Sequence, residues 1–183
     1  GDSPGVLCRG DDDDTSGYTE GWTLIDTDIK FSKTLLNCQA LINMPILKYH
    51  NQSGITFAMK NHYGTFDKPD AFHEPRVQRG IAGLNALPEI RERTRLVIGD
   101  ALQISPEVIN GWFRAVTGDS ILMSFDPVAH DAVGLQMLNE VQVSEGNDSK
   151  AEYTAKVVQL WLTRSAELGL GTNDPANINL TEV

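Results

Sequence analysis

Residues 41–66 read LINMPILKYHNQSGITFAMKNHYGTF, an apolar run that breaks into two cationic pairs, Lys48 with His50 and Lys60 with His62. The run QALINMPIL, residues 39–47, reads as a buried strand ending near Pro45. NQSG is a polar turn. Beyond it Ile55, Ala58, Met59 and His62 fall at helical spacing, with Ser53 as N-cap and Gly64 as stop. A strand, a turn and a helix form the repeating unit of an α/β fold. Lys48 and His50, two apart on an extended chain, project from one face at its end.

Working outward, WTLI (22–25) reads as a short strand and FDKPDAFHEP (66–75) as a proline-punctuated loop. Val77, Ile81, Leu84 and Leu87 predict an amphipathic helix over 76–87, with a second short piece at 89–93. RLVIGDAL predicts a strand ending at Gly99 and Asp100, and DSILMSF another ending at Asp126. Asp126 then caps a helix whose first-turn residue is Pro127. A long helix follows from residue 150, with GLGTND at 169–174 as its glycine stop. The expectation is one α/β domain over residues 1–183, with a mainly parallel sheet flanked by helices. Ligands of such sheets sit at the carboxyl ends of strands, which here would carry Lys48, His50, Asp100 and Asp126.

Composition removes several function classes. A net charge of −10 on 183 residues argues against non-specific nucleic-acid binding, which needs a basic face. No apolar run reaches the roughly 20 residues that span a bilayer. Cys8 and Cys38 are too few to hold an iron–sulfur cluster and are expected to be unpaired thiols. The aspartates at 11–14 lack calcium-loop spacing and read as a solvated loop. The sequons at Asn51, Asn147 and Asn179 carry little weight, and there is no G-x-S-x-G, H-E-x-x-H, P-loop or C-x-x-C motif.

Two chemistries suit the polar residues. Lys48, His50 and Lys60 are candidate catalytic groups. Lys48 and Lys60 would neutralise an anionic substrate that Asn61 also contacts, with His50 as general acid–base. Alternatively His50, Asp100, Asp126 and Asp131 would hold a divalent metal. His62 is assigned to packing. Asp126 and His130 share a helical side, while Asp131 is turned about a hundred degrees away into apolar surroundings, where a charge needs a partner. The competing reading is non-catalytic: a binding or assembly protein in which these residues form a structural salt-bridge network.

The same blocks resemble the DUF362 family. PILKYHNQSGITFAMKNHYG is similar to its P-x-L-K-x-H, G-x-T and K-N-x-x-G signature, RLVIGDAL to the strand and aspartate that follow, and SFDPVAHDAVG to its S-x-D-P-V-A-x-D block. ELGLGTNDPANINLTEV resembles its closing G-L-G segment. The resemblance implies a bacterial or archaeal α/β domain, often exported, with a redox-associated role and an iron–sulfur protein as partner. It places the family's polar set on Lys48, His50, Lys60, Asn61, Asp100, Asp126 and Asp131. His130 stands where the family is usually apolar. Family members commonly carry a strand, a helix and a strand before the GDSPG that opens this chain. A missing N-terminal segment or subunit is therefore expected, and with it a sheet edge that favours oligomers.

Overall fold

A computed structural model describes residues 18–183. Cys8 and the aspartates at 11–14 lie outside them. The chain starts with a hairpin, β1 (Tyr18–Leu24) and β2 (Thr27–Ser32), followed by the short helix α1 (Lys33–Asn37). Cys38 is a free thiol donating to Leu35 O.

The main sheet has five strands: β3 (Leu41–Asn43), β4 (Ile46–His50), β5 (Gly54–Thr56), β6 (Thr94–Ile109) and β7 (Trp112–Ser124). β6 is its spine. One edge of β6 takes β3 and then β4 in parallel, and the other takes β7 antiparallel; β5 adds antiparallel to β4. The α/β class is as expected, and the parallel pairing holds where β3 and β4 meet β6. The sheet as a whole is mixed.

Three local readings change, each for a physical reason. The single strand read across LINMPIL is two strands, because Pro45 has no N–H for a ladder; its carbonyl accepts from Asp100 N–H at 2.8 Å instead. The helix expected from Ile55 starts later. Residues 54–56 are strand, with Tyr49 opposite Ile55 and Lys48 opposite Thr56. The helix α2 (Ala58–Asn61) and a 3₁₀ turn (His62–Thr65) follow. Ser53 is not an N-cap; its hydroxyl donates to Ile55 O at 2.7 Å. Finally, the strand expected to end at Asp100 runs on to Ile109. It turns through Asn110 and Gly111, both at positive φ, the backbone that a two-residue hairpin requires.

Helices α3 (Val77–Ala86), α4 (Pro88–Arg91), α5 (Pro127–Ser144) and α6 (Asp148–Glu167) complete the fold. α5 and α6 cover the sheet face carrying Val97 and Ala101, where Leu47, Phe57, Leu135, Leu138, Val158 and Trp161 are buried. Trp161 satisfies its indole by donating to Ser53 O at 2.9 Å. α6 stops at Gly169 (φ 70°), with Leu170 N–H donating to Ser165 O.

The other face is bare among the described residues. Ile42 pairs with Leu96, Ile46 and Ile121 with Asp100, and Met123 with Ile98, so all lie on the face opposite Val97. Ile42, Ile46, Ile121 and Met123 are 54–68% exposed, and Phe125 just beyond them is 86% exposed. The expected flanking of the sheet by helices is therefore one-sided. No helix among the described residues is long and apolar enough to cross a membrane.

Candidate anion site

Lys48 and His50 leave β4 toward the turn, and Lys60 comes from α2. A fourth group joins them from the proline-punctuated loop: His73, which follows a 3₁₀ turn at Pro69–Phe72 and carries no sequence signal of its own. The rings of His50 and His73 stack, with centroids 5.6 Å apart and planes 6° apart. The loop is tied to the turn through Gln52, whose side-chain oxygen accepts from Glu74 N–H at 3.0 Å.

Hydrogen bonds set both tautomers. His50 Nδ1 accepts from Gln52 N–H (3.2 Å) and Ser53 N–H (3.3 Å), which leaves its proton on Nε2. His73 Nε2 lies 3.4 Å from Lys60 Nζ, whose ammonium can only donate. The His73 proton is then on Nδ1, 3.4 Å from Asp70 Oδ1. Lys60 also sits 4.1 Å over the Tyr63 ring, and Lys48 sits 4.6 Å over Phe113 near the hairpin tip.

Crowded cations and burial disfavour charge here. His50 is lowered to about 4 by burial, with Lys60, His73 and Lys48 adding to it. Lys60 is lowered to about 8 by burial and by Lys48, with Asp70 opposing. His73 is lowered by burial and Lys60, again against Asp70. The cluster offers two lysines and an imidazole N–H, and among the described residues the exposed Asp70 is the carboxylate beside it.

The aspartates of the expected site do other work. Asp131 is fully buried on α5 and accepts from Ala58 N–H (2.7 Å) and Met59 N–H (3.0 Å), capping α2 from outside. His130 is buried beside it; its Nδ1 is 3.2 Å from Asp131 Oδ1 and its ring centroid lies 4.2 Å from that of Phe57. The ring fits because Gly99 has no Cβ, which would collide with both His130 and Phe57. Asp126 caps α5 as expected, accepting from Val128 and Ala129 N–H at 2.8 Å. Its second oxygen accepts from Thr172 N–H at 2.9 Å, and a Cβ on Gly171 would overlap that carboxylate. Asp100 is mid-strand and accepts from Leu102 N–H at 2.9 Å.

The expected single pocket joining these aspartates to the cations does not form around Asp126. Lys48 pairs with Ser105 and Ser124 pairs with Val97, eight residues apart along β6. At ~3.3 Å per residue that is about 26 Å along the strand, beyond any direct coupling. Among the described residues no group of three or more His, Cys, Asp or Glu side chains is arranged to hold a metal ion. The four-residue metal set of His50, Asp100, Asp126 and Asp131 is thus not assembled. Asn61 is exposed and donates to Asn43 Oδ1 at 2.7 Å, and Asn43 in turn donates to Ala58 O at 2.7 Å. His62 is buried next to that pair, as its packing role requires.

An α/β domain with a basic cluster on one side and capping aspartates on the other is the class that fold and site define. The profile of the Domain of unknown function DUF362 matches residues 8–136, and the chain belongs to that family. No curated protein and no solved structure matches the chain.

Proposed function

We propose that the protein binds a small anion, a carboxylate or a phosphate, at the cluster of Lys48, His50, Lys60 and His73. One observation carries this reading: two lysines and two stacked imidazoles come together with, among the described residues, the exposed Asp70 as counter-charge. Desolvation of Lys60 beside Lys48 costs stability, and an anion held by the two lysines relieves that cost. Lys48 and Lys60 would hold the ligand's charge. His50 would present its Nε2–H, and the base of any reaction would be His73, whose imidazole burial and Lys60 disfavour in the charged form.

The aspartates of the other family blocks, Asp126 and Asp131, accept from backbone N–H groups and stand outside the proposed site. The redox-associated role and the iron–sulfur partner rest on the family resemblance, and the bare sheet face supports a protein partner there. Calorimetric titration with inorganic phosphate and with acetate tests the reading. Saturable binding that falls at least tenfold in Lys48→Ala is expected. Absence of binding by the native chain to either anion would overturn it.

A further inference from the structure

Asp70, His73 and Lys60 form a line of three groups: carboxylate, imidazole, amine. Asp70 Oδ1 is 3.4 Å from His73 Nδ1, and His73 Nε2 is 3.4 Å from Lys60 Nζ. That is the order in which an activated nucleophile is built, with the base beside the nucleophile and a third group orienting the base. Lys60 is 6% exposed, its ammonium packed over the Tyr63 ring, whereas Lys48 beside it stays half-buried. The two lysines differ in role: one is desolvated and paired with a base, the other is free to meet a negative charge.

We infer that Lys60 is an amine nucleophile that forms an imine with a small anionic carbonyl compound of the 2-oxo acid class, whose carboxylate Lys48 holds. The inference rests on the anion site for the orientation of the substrate, but not for the chemistry of the amine. His73 Nε2 takes a proton from the Lys60 ammonium. The amine lone pair forms the C–N bond while the carbonyl π pair moves to oxygen. The proton returns from His73 to that oxygen. A second proton passes from nitrogen through His73 to the hydroxyl, which leaves as water as the C=N bond forms. Ammonium plus carbonyl gives protonated imine plus water, with no oxidant or reductant. Asp70 positions His73, and His50 Nε2–H hydrogen-bonds the substrate without giving up its proton. Lowering of Lys60 to about 8 supports the assignment. It leaves about a tenth of the amine free at pH 7, roughly 300-fold more than a lysine of ordinary pKa.

The test uses glyoxylate as the 2-oxo acid, propanal as the neutral aldehyde, and borohydride to fix any imine, with labelled lysines located by peptide mass mapping. At pH 7 glyoxylate is expected to label Lys60 at least tenfold faster than any of the other six lysines. The rate should rise with a midpoint near pH 8, and Lys60→Arg should remove the label. Label spread evenly over surface lysines, or rising only toward pH 10, overturns the nucleophile. Phosphate is added in parallel while the His50 ring is followed by NMR. A phosphate response at His50 without label at Lys60 overturns the nucleophile and leaves the anion site standing. Lys60 labelled as fast by propanal as by glyoxylate, with no phosphate response, overturns the substrate class and the anion site and leaves the nucleophile standing.

Discussion

His50 and His73 stack with their planes 6° apart, although they come from a strand end and a loop 23 positions further on. Two imidazoles held this way beside Lys48 and Lys60 cannot both be charged without strong repulsion. The structure keeps them neutral by desolvation and by the lysines themselves. Among the described residues the counter-charge beside them comes from Asp70.

Stability should fall on mild acidification. His62 is buried and lowered to about 4 by burial, and His50 is lowered likewise, against about 6.5 unfolded. Between those values the unfolded chain binds more protons than the folded one. Stability is fully present above about pH 6.5 and is lost as pH falls toward 4. His62 alone accounts for on the order of 3 kcal/mol across the window. Urea unfolding at pH 7 and at pH 4.5 measures it; equal stability at both would contradict the burial of a neutral His62.

Asp131→Asn should cost roughly 3 kcal/mol, because an amide cannot accept from two backbone N–H groups and answer His130 as the carboxylate does. Denaturant midpoints, together with loss of amide-exchange protection at Ala58 and Met59, report it. Unchanged protection at those two amides would show that the cap is not needed.

Gly99→Ala places a methyl into His130 and Phe57 on the packed side of β6. Neither ring has room to retreat in a filled core, so a loss of about 1–3 kcal/mol is expected. A variant as stable as the parent would mean that His130 does not occupy this place.

Met123→Ser with Phe125→Ser removes two strongly exposed apolar side chains from the bare end of the sheet. Both are solvated, so stability should change by less than about 0.5 kcal/mol. Binding of a hydrophobic dye should fall and solubility should rise. Dye binding equal to the parent's would place the sticky surface elsewhere.

Much of this architecture was legible along the chain. The helices after Arg76 and after Asp126, and the glycine stop at Gly169, follow from periodicity and capping residues that act locally. The α2 region was harder, since Ile55 in a strand and His62 in a 3₁₀ turn happen to keep helical spacing. Asn110-Gly111 was a hairpin signal in plain view, and reading past it hid that Asp100 is mid-strand. Of the candidate site, Lys48, His50 and Lys60 come together as neighbours because the β4–β5 hairpin is local. His73 was not legible: a proline-rich loop has no period, and only the folded contact with Lys60 reveals its place. Asp126 illustrates the converse. Its N-cap role is local, whereas its contact with Thr172, 46 residues on, is not.

The most direct test of the anion site is the titration of the His50 ring by NMR, without and with saturating phosphate. Free protein should titrate at about 4. Bound phosphate, set against the ring, should raise that value by a unit or more, because an opposite charge within ~4–6 Å favours the imidazolium. Lys48→Ala should also raise it without phosphate, by removing a neighbouring positive charge, and should blunt the response to phosphate. A His50 that titrates at its ordinary value, or that phosphate leaves unmoved, would contradict the account.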